Sequence, residues 1–429
     1  MDQTHKLVVV GGGVAGLDLA THLVGRQAGT QRLAVTLIDR EPAYVWKPML
    51  HTIAAGTSAA GTQETVYAAQ AARRGFRYEF GEATAIDRDR REVRLAALRS
   101  GGAVIVPERV VAYDTLVLAV GSRANDFGTP GVEEHCARID SRSDAIAFND
   151  ALRLHLLHCV AMDKPLSIGI VGGGATGVEL AAELIEVAAV AEQYGLAGAS
   201  NHLRVTLIEA GPRLLGPFPA KVADAARAKL EQLGVEVRVG MRVTSVDAAG
   251  FALDGAAPVP AELRVWAAGI KAPALMETLS GLERTKSGQL VVGANLAATA
   301  DHRIYALGDC ASPRLPGRDA PIPATAQAAS QHARYLCRHL PALIAGQTVG
   351  AAGYHDFGSL VSLGGFDAYG TLGRFGFFKG GFIRGRVAQL GHALLYRSYQ
   401  TRLHGVWRGS LLWLLDVLAR RVKPAARLT

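Results

Sequence analysis

The sequence predicts an α/β fold with two Rossmann-like domains, the first discontinuous and the second inserted into it, followed by a C-terminal amphipathic helical region. Three observations predict it. Two glycine-rich turns of the form G-x-G-x-x-G lie in separate halves of the chain. Each turn follows an apolar strand, opens a helical pattern, and is answered by an acid at the end of the next strand. A basic, tryptophan-bearing tail begins where the α/β pattern stops.

The elements follow in order. Lys6 to Val10 is a β-branched apolar run ending at Gly11, and Leu17, Leu19, Ala20 and Leu23 give a helical pattern behind it. Ala34 to Ile38 ends at Asp39, which completes a βαβ unit. Phe76 to Leu95 reads as short strands broken by charged turns, and Tyr113 to Val120 as a buried strand ending at Gly121. The pattern then restarts. Leu166 to Val171 is a strand, Gly172 opens a turn, and Val178 to Ala191 is a helix. Val205 to Ile208 ends at Glu209, and Leu263 to Ala267 ends near Gly269. A repeat on this scale predicts duplicated nucleotide-binding domains rather than a solenoid. Ile304 to Leu307 is a further strand running into Gly308-Asp309-Cys310, and a helix follows from Ala326 to Leu340. After about Tyr354 the chain becomes Gly-rich, aromatic and basic. The expected boundaries are 1–125 and 296–345 for the first domain, 126–295 for the second and 346–429 for the tail region.

Composition narrows the function classes. The 429 residues are 49% hydrophobic, enough for two or three domains with their own cores. The 49 glycines show no G-X-Y period, so they mark turns and close backbone approaches. Cys136, Cys159, Cys310 and Cys337 form no C-x-x-C pair, which argues against a metal knuckle or a local redox dithiol and suits a reducing cytoplasm. No metal site is expected. The start, Met-Asp-Gln-Thr-His, runs straight into a strand, so no signal peptide is expected, and no apolar stretch is long enough for a spanning helix.

The fingerprints are Gly11-Gly12-Gly13-Val14-Ala15-Gly16 and Gly172-Gly173-Gly174-Ala175-Thr176-Gly177. In such a motif the first glycine permits the tight turn and the second lets backbone approach a pyrophosphate. The third lets helix and strand pack closely, with the diphosphate at the helix N-terminus. One fingerprint would be weak; two, each between strand and helix and each with its acid, define dinucleotide-binding domains. Asp39 and Glu209 can accept hydrogen bonds from ribose hydroxyls. Glu209 lies further from its glycines than the usual ~20 residues, and the insertion Gln193 to His202 absorbs the difference. A carboxylate there repels a 2′-phosphate, so NADH is expected over NADPH. An extended FAD needs contacts beyond one βαβ unit, and Gly308-Asp309 can meet its ribityl or diphosphate region. FAD is therefore expected on the Gly11 turn and NAD on the Gly172 turn.

The net charge of +8 sits in the tail. From Arg374 onward, Lys379, Arg384, Arg386, Arg397, Arg402, Arg408, Arg420, Arg421, Lys423 and Arg427 oppose the single acid Asp416. Val387, Leu390, Leu394, Leu395 and Tyr399 can share one helix side, and Val406, Trp407, Leu411 to Leu415, Val417 and Leu418 form a more continuous apolar run. This reads as amphipathic helices lying in a membrane interface, with Trp at headgroup depth and Arg toward anionic lipid. Each basic residue near such a surface contributes up to about 1 kcal/mol. The alternative is an ordinary docking helix or a homodimer face. No nucleic-acid motif accompanies the charge, so nucleic acid is not expected as a partner.

Several segments resemble the bacterial type II NADH:quinone oxidoreductases. They are Ile168 to Leu180, Val45-Trp46-Lys47-Pro48-Met49-Leu50-His51, Trp266 to Pro273, Tyr305 to Ala311 and Gly358 to Leu363, together with the basic tail. The likeness covers essentially the whole chain. It implies a non-covalent FAD that takes a hydride from NADH and reduces a membrane quinone, ubiquinone or menaquinone, without proton pumping. It also implies peripheral attachment to the cytoplasmic face of the bacterial inner membrane. The family's quinone motif, Ala-Gln-x-Ala-x-Gln, stands here as Ala326-Gln327-Ala328-Ala329-Ser330-Gln331. Gln327 and Gln331 are four apart on a predicted helix and can position a quinone carbonyl, but amides cannot supply its protons. The resemblance places Glu179 near the nicotinamide–flavin contact, as a substrate-binding group or proton donor, and Lys47 and His51 near the flavin, where Lys47 can stabilise negative charge.

The candidate catalytic residues are thus Glu179, Gln327, Gln331 and Lys47. The candidate FAD contacts are Gly11, Gly13, Val14, Ala15, Gly16, Asp39, Arg40, Lys47, Ala85, Gly121, Gly308, Asp309, Ala326 and Gln327. The candidate NAD contacts are Gly172, Gly174, Ala175, Thr176, Gly177, Glu179, Glu209, Ala268 and Gly269. Two other readings use the same scaffold. A sulfide:quinone oxidoreductase needs reactive cysteines, and a disulfide reductase needs a close Cys pair after the first βαβ unit, where Tyr44 to Ala60 has none. A non-enzymatic NADH-binding redox sensor would not need the glutamine motif.

Overall fold

The computed structural model describes residues 4–58, 64–317, 321–375 and 378–422. The chain folds as two compact units, each assembled from separated segments. The first comprises Met1–Trp46, Glu64–Arg123 and Ile270–His355; the second comprises Lys47–Gln63, Ala124–Gly269 and Asp356–Thr429.

In the first unit the strand Thr4–Val10 is central. It pairs in parallel with Gln31–Asp39 on one side and Thr115–Leu118 on the other. Arg77–Phe80 extends the sheet beyond Gln31–Asp39, and Asp301–Ala306 extends it beyond Thr115–Leu118, both in parallel. In chain order these five strands lie 3-2-1-4-5, the doubly wound arrangement whose crevice opens at the strand C-termini. Leu7 to Val10 are buried, as a strand covered on both faces requires. The helix Val14–Leu23 is buried on almost every side, because it lies against the sheet and against the helix Ala326–Ile344.

The second unit repeats the design. Glu236–Val239, Leu203–Glu209, Leu166–Val171 and Leu263–Trp266 form a parallel sheet in that order. The helix Ala175–Gln193 springs from the second fingerprint. The C-terminal part then adds an antiparallel sheet of Gly358–Leu363, Asp367–Phe375 and Phe378–Arg384, followed by helices Arg386–His404 and Val406–Val422.

These units depart from the expected boundaries in three places, each for a packing reason. Residues 270–295 join the first unit because Leu290–Val292 pairs with Ala311–Pro313 and Ala297–Ala298. Residues 47–63 join the second because the helix Leu50–Ala55 packs on Arg142–Met162 and Ala175–Gln193. The tail is no separate region either: the strand Gly358–Leu363 packs on the helix Ala175–Gln193. Among the described residues no helix is long and apolar enough to cross a membrane.

Candidate active site: two anion cradles and a buried carboxylate helix

In the first unit, Gly11 sits at φ +98°, and its N–H donates to Ile38 O at 2.9 Å. A Cβ on Gly11 would lie 2.8 Å from Val120 N, so only glycine fits this turn. A Cβ on Gly16 would overlap Gly11 O, which fixes how closely helix and strand approach. Gly13 begins the helix with no side-chain cap, and the space where its Cβ would stand is open. The Gly13 floor and the helix start behind it thus fit a diphosphate. Val14 and Ala15 are buried in the helix's first turn.

Asp39 braces the loop: its Oδ2 accepts from Gly12 N at 2.5 Å and its Oδ1 from Glu41 N at 2.8 Å. Burial pushes the Asp39 carboxyl up, against the pull of those two backbone donors. The Tyr67 hydroxyl donates to Gly12 O at 2.8 Å, a support with no signal in the sequence. Opposite, Asp309 is held by Ser122 Oγ at 2.8 Å on its carboxylate and by Gln289 Nε2 at 2.8 Å on its carbonyl. Gly308, at φ +69°, donates its N–H to His332 Nδ1 at 3.2 Å. Burial lowers His332 to about 4, so it stays neutral, and Nε2 carries the hydrogen while Nδ1 accepts. Gly121, at φ +68°, has open space where a Cβ would stand.

Other expected contacts are placed less tightly. Arg40 is exposed and lies 3.6 Å from Glu82. Ala85 belongs to the antiparallel sheet of this unit, opposite Arg94. Ala326 starts the glutamine helix, capped by Thr325 Oγ1 accepting from Ala328 N at 3.2 Å. Gln331 turns out to have both ends of its amide engaged. Its Nε2 donates to His355 O at 2.8 Å and its Oε1 accepts from His355 N at 2.9 Å. Gln331 therefore pins the backbone at His355.

The second cradle copies the first. Gly172, at φ +114°, donates to Ile208 O at 2.8 Å, and its Cβ would lie 2.7 Å from Ala268 N. A Cβ on Gly177 would overlap Gly172 O. Gly174 faces open space and starts the helix uncapped, with Ala175 and Thr176 in the first turn. Glu209 plays the part of Asp39, accepting from Gly173 N and Gly211 N, both at 2.6 Å. The longer spacing to Glu209 is taken up by the short helix Ala199–His202. Ala268 O accepts from Asn125 N at 3.0 Å, and Gly269 sits at φ +60°.

Glu179 lies on the helix that leaves this cradle. It is 6% exposed, and burial raises its carboxyl to about 8, opposed by a 3.0 Å hydrogen bond from Ser362 N to Oε1 and assisted by Glu183. His51 Nδ1 stands 3.4 Å from Glu179 Oε2. A carboxyl near 8 is largely protonated at neutral pH, so this side chain holds a transferable proton. Lys47, in the 3-10 turn Lys47–Met49 of the same unit, is exposed.

Three of the four cysteines are held as thiols. Burial pushes both Cys136 and Cys310 to about 11, and Cys159 is raised for the same reason, so the reactive thiolate is suppressed. One metal-capable grouping does form among the described residues, Asp18, His22 and Cys337, which sequence spacing could not show. There His22 Nδ1 lies 2.8 Å from Asp18 Oδ1 and 2.9 Å from Asp18 O, an i,i+4 pair on the helix Val14–Leu23.

Two like-built cradles in one chain define a flavoprotein-type pyridine nucleotide scaffold. The profile of the family described as pyridine nucleotide-disulphide oxidoreductase matches residues 5–333, and the chain belongs to that family. Within it, the chain is 37% identical to the type II NADH:quinone oxidoreductase of Haemophilus influenzae over 99% of both chains. It is 28% identical to that of Staphylococcus aureus over 86% of this chain and 89% of the other. The chain therefore belongs to the type II NADH:quinone oxidoreductases. Among solved structures it superposes on NDH2 from Plasmodium falciparum in complex with NADH, with a TM-score of 0.82, 18% identity and full coverage of both chains. It also resembles the sulfide:quinone oxidoreductase of Aquifex aeolicus, with a TM-score of 0.73 and 17% identity over 94% of this chain and 92% of that one. These two likenesses speak for the fold alone.

Proposed function

We infer that the chain oxidises NADH and reduces a membrane quinone, using a non-covalent FAD. The observation that carries this reading is the pair of open glycine cradles, joined in one chain with a buried, protonated glutamic acid on the helix leaving the second. FAD, when bound, accepts two electrons from NADH and passes them to the quinone. The first unit is the FAD domain: the Gly11–Gly16 turn receives the diphosphate, Asp39 stands at the ribose position, and Gly121, Gly308 and Asp309 line the other side. The second unit receives NADH on Gly172–Gly177, with Glu209 at the adenosine ribose and Ala268 and Gly269 along its path. Arg40, Ala85, Ala326 and Lys47 remain proposed FAD contacts. Gln327 orients the quinone, and Gln331 acts on the site through the His355 backbone.

The overall reaction, NADH + H⁺ + quinone → NAD⁺ + quinol, takes one proton from solvent. Glu179 holds that proton at neutral pH and gives it up at its carboxyl oxygen. Glu209 sets the choice of nucleotide, because its carboxylate would face a 2′-phosphate. Purified chain supplied with a short-chain quinone is expected to consume NADH and quinone one to one. NADPH should give at least about tenfold lower kcat/KM, a difference of about 1.4 kcal/mol. Equal turnover of NADPH would overturn the role of Glu209, and NADH oxidation without quinol formation would overturn the function.

We also propose that the last helix attaches the protein to the cytoplasmic face of the bacterial inner membrane. Trp407 is 90% exposed, and Leu411, Trp413, Leu414 and Leu415 are each more than half exposed on the same helix. Arg408 lies beside them, while Lys423 and Arg427 lie outside the described residues. The preceding helix is different, for Tyr396, Tyr399 and Leu403 are buried in its own unit. The useful truncation therefore ends at Gly405, keeping the buried helix. That shortened chain is expected to stay in the supernatant when mixed with anionic vesicles, and to oxidise NADH with a soluble acceptor at full rate. Co-sedimentation with the vesicles would contradict the assignment. A homodimer formed through the same apolar face would show as a halving of solution mass on truncation.

A further inference from the structure

The grouping of Asp18, His22 and Cys337 takes no part in the reaction derived above, yet it joins two working helices of the first unit. Asp18 and His22 stand four apart on the helix Val14–Leu23, which leaves the first glycine turn, so both project from one face. Cys337 belongs to the helix Ala326–Ile344, which opens with the glutamine motif. These helices pack on each other, and the three side chains meet across the seam. A carboxylate oxygen, an imidazole nitrogen and a sulfur all lie within 4.8 Å of one another. Burial is graded across the group. The Asp18 side chain is fully buried and Cys337 nearly so, while the His22 side chain is 33% exposed and forms the mouth. Arg26, just beyond the first helix, donates from Nη1 to Cys337 O at 3.1 Å and ties the backbone at the cysteine to the end of that helix.

We propose that Asp18, His22 and Cys337 bind a zinc ion that staples these two helices together. Thiolate, imidazole and carboxylate are the donors zinc takes, and three protein ligands leave its fourth position to water at the His22 mouth. Around a tetrahedral zinc ion such donor atoms stand about 3.3–3.5 Å apart, so the group closes by side-chain shifts of about 1 Å. The sulfur selects against calcium and magnesium, which take oxygen ligands. One carboxylate and one thiolate neutralise the divalent charge, so the buried part of the site holds no unpaired ion. Zinc displaces the Cys337 thiol proton, which leaves to solvent. Without zinc, His22 Nδ1 donates its hydrogen to Asp18 O at 2.9 Å and Asp18 Oδ1 at 2.8 Å. With zinc, the ring carries that hydrogen on Nε2 and turns the Nδ1 lone pair to the ion. The staple fixes the helix that begins at the Gly13 floor against the helix that begins at Ala326, and so slows loss of the flavin from between their starts.

The test titrates the chelator-stripped, flavin-loaded protein with zinc against a chromophoric zinc indicator. One zinc per chain is expected in the parent and none in His22→Gln or Cys337→Ala. Cobalt(II) in place of zinc should give d–d bands to the red of the flavin spectrum, and these should be lost in both variants. Excess zinc should raise the unfolding midpoint of the parent by about 3 °C or more and slow flavin release, and should do neither in the variants. Because His22 is partly exposed, His22→Gln keeps the fold even if Cys337→Ala does not, and its turnover of NADH with ferricyanide should match the parent. No zinc bound by the parent, or a stoichiometry that His22→Gln leaves unchanged, would overturn the site. Zinc bound through His22 and Cys337 with no change in midpoint or flavin release would overturn the staple. Neither result bears on the assignment of NADH and quinone, which rests on other residues.

Discussion

Gly177→Ala is expected to lower kcat/KM for NADH by about a hundredfold or more while the flavin stays bound. The added Cβ would overlap Gly172 O, so the helix Ala175–Gln193 must move off the strand Leu166–Val171 at its first turn. A displacement of about 1 Å at a binding cradle can cost about two orders of magnitude in rate. The flavin is unaffected in this account because its own turn, Gly11–Gly16, lies in the other unit. Gly174→Ala serves as the unstrained companion. Its backbone, at φ −74° and ψ −177°, suits any residue, and nothing among the described residues lies within 4 Å of the new Cβ. The methyl would instead stand on the floor of the cradle, so the fold is kept and NADH affinity falls. Steady-state kinetics and the bound-flavin spectrum check both variants. Parent-like KM for NADH in the two of them would remove the second turn from NADH binding.

Glu179→Gln is expected to reduce quinone turnover at pH 7 by about a hundredfold, the low end of the range for a positioned general acid. Flavin reduction by NADH should stay within a few-fold of the parent. The sign of the pH dependence follows from the shift. The carboxyl is raised from 4.5 to about 8, so it carries its proton below about pH 8 and loses it above. In the parent, kcat/KM for quinone should therefore be flat on the acid side and fall as pH rises through about 8. Glutamine cannot titrate, so this limb should vanish in the variant. A limb that persists in Glu179→Gln would assign the titration to another group.

Much of this arrangement was legible in the sequence. The two turns, the acids ending the next strands and the start of the glutamine helix are local patterns, because a fingerprint glycine and its strand or helix are chain neighbours. What was not legible comes from distant segments. Nothing near Gly12 announces Tyr67, which braces the first turn, and nothing near Gly308 announces His332, which holds the Gly308 backbone. The His355 backbone, which engages the Gln331 amide at both ends, likewise lies 24 positions away in the chain. The antiparallel sheet from Gly358 was hidden because its glycines break the alternation that marks a strand. Ser362, which bonds Glu179, lies within it. One signal was readable and missed. Glu179, Glu183 and Glu186 recur at helical spacing in an apolar helix, where buried carboxyls need a reason.

The division of labour between the two glycine turns is tested most directly by an anaerobic titration of the purified protein, first with NADH and then with a quinone, followed in the flavin spectrum. One equivalent of NADH is expected to bleach the bound flavin, and one equivalent of quinone to restore it. A chain without flavin, a flavin that NADH leaves oxidised, or a bleached flavin that quinone cannot restore would contradict it.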